Sequence, residues 1–246
     1  MQTAGILLLA FAMVAVPARA ALVCRRRGQA FPRHRLALAA LAAAITLGAL
    51  LGLDAAADSM LSAHMLQHML IGDLVPLLLV LAFRPPVLGH ALAFATRPVL
   101  AFAFWACAIA LWHIPAAYDR ALENEQLHAF EHATFMLAGL LVWTALLDPA
   151  GRGTLPGWRR FGYALALLVA SGALANTLIL SYRPLYPSYA DAAHRPLGLT
   201  PIGDQDLAAL TMMLEQLLTV GTFAFLCARR QLAAPVERPE RHPLAA

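Results

Sequence analysis

Residues 64–81 read HMLQHMLIGDLVPLLLVL. The second half is a run of leucine and valine of the kind a helix carries through hydrocarbon. The first half puts two histidines, two methionines and a glutamine on the same segment. Polar groups in lipid are costly and are kept where they face a bundle interior with a partner. One stretch therefore points both to a membrane fold and to something inside it that needs imidazole.

The rest of the chain bears on the fold. It has 246 residues, 61% of them apolar, and a mean hydropathy of +0.66. A soluble domain of this size must cover its surface with polar groups and seldom reaches such values. Apolar runs recur near 4–23, 36–53, 61–82, 98–117, 127–147, 161–182 and 207–227. Each is long enough to cross ~30 Å of hydrocarbon as a helix. The expectation is an all-α polytopic membrane protein, a bundle of about seven transmembrane helices. It forms one integral-membrane domain over 1–246, with an interfacial piece at 85–97 and a tail at 228–246. The chain has no lysine. Fourteen of its 18 arginines lie in 24–35, 83–97, 148–160 and 228–246, whereas the alternate loops hold three. By the positive-inside rule the N-terminus lies outside and the C-terminus in the cytoplasm. VPARA at 16–20 resembles a signal-peptidase site, but the segment before it lacks a basic region. Cleavage would also invert every later loop against the arginine count, so the first span is expected to stay. The isoelectric point of 9.3 then reflects topology and contact with lipid headgroups rather than nucleic-acid binding. Cys24, Cys107 and Cys227 are odd in number and far apart, which gives neither a disulfide framework nor a metal clip.

The histidines sort by depth. His64 and His68 open the third span, His113 closes the fourth, and His128 and His132 open the fifth. All five fall near the outer end. Met60, His64 and His68 are spaced i, i+4, i+8, and His128, His132 and Met136 repeat that spacing. Residues four apart share one helical face, about 6 Å apart along the axis. Met65 and Met69 flank the first ladder, and Met212 and Met213 reach a similar depth. A single membrane histidine is commonly a hydrogen-bonding residue between helices, and methionine is commonly filler. Two spaced pairs and a third helix at one depth argue instead for a metal or cofactor site of His64, His68, His113, His128, His132, Met60 and Met136.

Imidazole with thioether and no thiolate suits Cu(I), with Zn(II) or Cu(II) tolerated. Haem is a rival, since facing histidines supply axial ligands, although it needs only one per helix. HAFEH at 128–132 matches the H-x-x-E-H pattern of zinc peptidases, with Glu131 as general base; five letters match easily by chance. Glu131, Asn176, Asp204, Gln205, Met212, Met213 and Glu215 are candidates for supporting the ligands or for bonding between helices. Asp73 lies deeper. Pro115, two residues after His113, is expected to end or bend the fourth helix.

Together with LWHIPAAYD at 111–119 and LHAFEHATFMLAGLLVW at 127–143, the opening stretch resembles the CtaG family of assembly factors for caa-type cytochrome c oxidase, over roughly 55–227. The resemblance implies a non-enzymatic, multi-pass protein of the bacterial cytoplasmic membrane that helps supply copper to the oxidase. The implied partners are the oxidase subunit with the buried copper site, a periplasmic copper donor and the surrounding lipid. The resemblance carries over onto His64, His68, His113, His128 and His132, and Asp204 and Gln205 fit a D-Q element before the last helix. From Asp206 the chain departs from the family pattern and reads DLAALTMMLEQ. The oxidase's buried copper is held by histidines within the membrane, toward its outer side. HMLQHML is therefore expected to form one wall of a transient copper site. The alternative is a membrane copper or haem protein of transport or electron transfer. A transporter needs polar residues continuing to the inner face, and apart from Asp73 these are nearly absent.

Overall fold

The computed structural model describes residues 32–83, 94–149, 151–192 and 195–233, with 22, 24–26 and 28 besides. The span expected at 4–23, most of the interfacial piece at 85–97 and most of the tail lie outside these residues. Every regular element among the described residues is helical. Five helices are long and apolar enough to cross a membrane: α1 (Arg33–Gly52), α3 (Leu61–Ala82), α6 (Glu125–Leu147), α7 (Trp158–Ile179) and α9 (Pro201–Leu232). A bent pair, α4 (Pro98–Trp112) and α5 (Pro115–Glu123), whose axes differ by 76°, makes a sixth if the two are counted as one span. The short helices α2 (Asp54–Ala57) and α8 (Pro187–Ala190) lie in connections.

Local chemistry explains the boundaries. Pro98, Pro115 and Pro201 each stand in a first turn, where the missing N–H costs nothing. The Asn124 side chain accepts from Gln126 N and Leu127 N, both at 3.0 Å, and starts α6. Thr200 does the same for α9 through Gly203 N. The last span therefore begins at Pro201, six residues before the apolar run suggested. It is 32 residues long, about 48 Å as a helix and longer than ~30 Å of hydrocarbon requires. Asp204 and Gln205 consequently belong to the helix itself rather than to the loop before it.

α3 sits at the centre. Its first half packs on α9, its second half on α1, and α6 lies along it; α4 covers α6, and α7 covers α9. The α3–α6 crossing depends on Gly72, Pro76 and Gly139. Pro76 has no N–H to offer the carbonyl of Gly72, and the helix runs as a π-turn over Leu70–Leu74. Gly139 of α6 lies directly over that carbonyl, so close that a methyl group there would overlap it and meet Pro76 Cγ at 2.7 Å. Small residues are what let membrane helices approach this closely. Leu165, Val169, Leu210, Leu214, Leu217 and Phe225 are exposed on α7 and α9. That is a lipid-facing surface, since water would not tolerate so wide an apolar face.

Candidate metal centre

The two histidine pairs meet. One ring nitrogen each from His64, His68, His128 and His132 lies within 4.8 Å of the others, and all four residues are buried. The i, i+4 spacing on α3 faces the i, i+4 spacing on α6, and the crossing at Gly139 holds the two walls together. Ring centroids are 4.3 Å apart for His64–His68, 4.5 Å for His128–His132, 5.0 Å for His64–His128 and 5.0 Å for His68–His132.

Neighbouring groups fix the His64 proton. Its Nδ1 is 2.8 Å from the Tyr189 hydroxyl, which is also 2.8 Å from the Ala57 carbonyl. A carbonyl only accepts, so Tyr189 donates to Ala57 and accepts from His64 Nδ1–H. Burial pushes the ionisation of Tyr189 well above its ordinary range, which keeps that hydroxyl a donor. His64 is thereby assigned the tautomer whose Nε2 lone pair faces the cluster. That Nε2 is 2.9 Å from His68 Nε2, so the His68 nitrogen donates to it. A cation between the walls would replace this contact. Metal–imidazole bonds of about 2.0–2.1 Å place ligand nitrogens roughly 3.3–4.1 Å apart, within the spread of the cluster. His132 is 1% exposed, and neither of its ring nitrogens has a hydrogen-bond partner among the described residues. A buried polar group left in that state is expensive, and a metal ion is a partner that fits it. Glu131 is equally buried, with Oε1 at 3.9 Å from His68 Nε2.

The other expected residues divide. His113 stays outside the four-ring cluster, where its Nδ1 bonds the Ile109 carbonyl at 2.9 Å. Met60 stands in extended backbone as the residue before α3 and so does not continue a helical ladder. Met136 packs among Ala42, Ala49, Ile71 and Val75, on the α1 side of α6. Asn176 is on an exposed face and donates to its own helix, at Gly172 O. Met213 is exposed, whereas Met212 is buried in the core. Glu215 lies with Gln216 and Asp73 rather than with the histidines. There Asp73 accepts from Trp143 Nε1 at 2.5 Å, Thr219 Oγ1 at 2.7 Å and Gln216 Nε2 at 3.2 Å. All three partners lie 70 or more residues away, which is why its role is invisible from sequence.

Asp204 and Gln205 shape the site without joining it. Asp204 accepts from Leu61 N at 2.7 Å, Ser62 N at 3.1 Å and Ser62 Oγ at 2.5 Å. A carboxylate from the first turn of α9 thus caps the helix that carries His64, where two helix N-termini both favour negative charge. Gln205 accepts from Leu185 N and donates to Leu178 O, fixing the segment that leads to Tyr189. Replacing Asp204 by alanine would strand three buried donors at about 1–3 kcal/mol each. The expected result is a loss of ~3 kcal/mol or more in the unfolding free energy of the detergent-solubilised protein. Asparagine retains an acceptor oxygen and should cost less; equal midpoints for wild type and alanine would show that the cap is idle.

The pattern of the family described as cytochrome c oxidase caa3 assembly factor (Caa3_CtaG) matches residues 15–234. The chain belongs to this family. The caa3 assembly factor pattern thus covers every described helix that contributes to the centre. Neither the curated proteins nor the solved structures contain a match to the chain.

Proposed function

We propose that the four-histidine cluster takes up copper and passes it to cytochrome c oxidase during assembly. One observation carries the reading: four buried imidazoles from two helices converge within 4.8 Å, and His132 lacks any hydrogen-bond partner among the described residues. Imidazoles bind copper and zinc alike; membership of an oxidase assembly family favours copper, which the oxidase needs. The positive-inside rule, applied to the arginine-rich loops, supports a cytoplasmic side at the opposite end of the bundle and with it a cluster toward the outer face of the bacterial cytoplasmic membrane. At that depth an ion moves sideways to a membrane-buried acceptor without crossing the bilayer. A periplasmic donor loads it, and the role needs no catalysis.

Metal analysis of the purified protein tests this directly. After loading with Cu(I), at least one tightly held ion per chain is expected, with no haem absorption in the visible spectrum. A Soret band, or no retained copper, would overturn the reading.

A further inference from the structure

A second space lies beside His68. A cavity of about 40 Å³ is lined by Met65, Met69, Met212, His68 and His113, from α3, α9 and the end of α4. That volume holds one to a few water-sized occupants. Asp73 and Gln216 line it too, but their polar atoms are engaged with Trp143, Thr219, Ser171 and each other. Three thioethers and two imidazoles are therefore the donors available to an occupant.

The protons of this wall are assigned by its hydrogen bonds. His113 Nδ1 points at the Ile109 carbonyl, so it carries the hydrogen and the lone pair is on Nε2. Among the described residues that Nε2 is buried with no hydrogen-bond partner, and the same holds for Nδ1 of His68, a residue only 5% exposed. Thioethers are neutral at every pH and soft; with imidazole they select soft monovalent cations over harder dications.

We propose that this cavity is a second cation site, distinct from the four-histidine cluster. His113 Nε2 and the sulfurs of Met65, Met69 and Met212 take Cu(I), or Ag(I) in its place, and reject Zn(II). His68 stands in both walls. A neutral imidazole has one lone pair, so His68 serves the cluster through Nε2 or the cavity through Nδ1, never both. A monovalent ion leaves the cluster as its bonds to nitrogen are exchanged for bonds to sulfur, with no change of oxidation state. The hand-off rests on the copper reading of the cluster; the soft site stands without it.

The test uses the full chain in detergent with Cys24, Cys107 and Cys227 replaced by alanine, so that thiols do not compete. Tight binding of Ag(I) and of Zn(II) is counted separately. The expected stoichiometry is two Ag(I) and one Zn(II) per chain. Replacing Met65, Met69 and Met212 together by leucine, a volume-conserving change that cores tolerate, should leave one Ag(I) and one Zn(II). Replacing His64 and His128 by alanine should abolish Zn(II) and leave one Ag(I). X-ray absorption at the silver edge of this last variant should show thioether sulfur around the ion. Two Ag(I) retained by the leucine variant, or no sulfur in that shell, would overturn the soft site. Absence of Zn(II) from the parent chain would instead count against the cluster alone.

Discussion

A chain in which His64 and His68 are both alanine should insert, fold and accumulate normally, yet leave the oxidase with haem and without its buried copper. The two halves of this expectation have separate physical grounds. The imidazoles are buried, but they bond chiefly to each other and to Tyr189, and small residues are well tolerated between membrane helices. Removing both takes one whole wall from the cluster. Loss of a single outer-shell partner already costs ~10–100-fold in metal affinity, so loss of two ligands should exceed that. Copper and haem content of the purified oxidase, measured beside the level of the variant, decide the matter. Normal copper at normal protein level would sink the delivery role. Glu131→Gln separates the peptidase reading of HAFEH: a zinc hydrolase would keep its metal and lose its activity.

Widening Gly139 should do as much damage without touching any ligand. Leucine there must displace the Gly72 carbonyl and the Pro76 ring, and overpacking of this kind typically costs 1–3 kcal/mol. The displacement falls on the crossing of the two helices that carry the histidine pairs. The expected outcome is a lower unfolding midpoint together with loss of metal retention at temperatures where the protein is still folded. Gly162 on α7 is the control, because a Cβ there meets nothing within 4 Å among the described residues. Alanine at Gly162 should be neutral or stabilising, by up to ~1 kcal/mol of helix propensity. Unchanged metal content in a folded Gly139→Leu chain would show that the crossing does not set the spacing of the walls.

Much of this was legible in the sequence, and the failures have physical reasons. The four-histidine cluster followed from i, i+4 spacing at a common depth, because helical periodicity is local information. Pro115 correctly marked a break, and the structure adds its 76° angle. The thioether ladders misled because α3 starts at Leu61, which leaves Met60 in extended backbone, and because Met136 turns toward α1. The start of α9 was encoded in Thr200 and Pro201, a cap followed by a first-turn proline; hydropathy alone placed it later. Tyr189 carries no periodic signal, since it lies in a four-residue helix within a connection. Asp204 stood among the candidate supports, but its partners, like those of Asp73, could not be read. Their partners lie some 70 to 146 residues away, and only the folded chain brings them together.

The cap of α3 by Asp204 also orders events in time. Both histidine walls are synthesised before the ribosome reaches residue 204. Until the last helix enters the bilayer, the start of α3 lacks the carboxylate that holds Leu61 and Ser62. The segment leading to Tyr189, which orients His64, also lacks until then the Gln205 side chain that accepts from Leu185 N. A chain synthesised only as far as residue 203 therefore carries both histidine walls without the carboxylate that caps one of them. The four-imidazole centre thus takes its shape as α9 docks, after both of its walls have already been made.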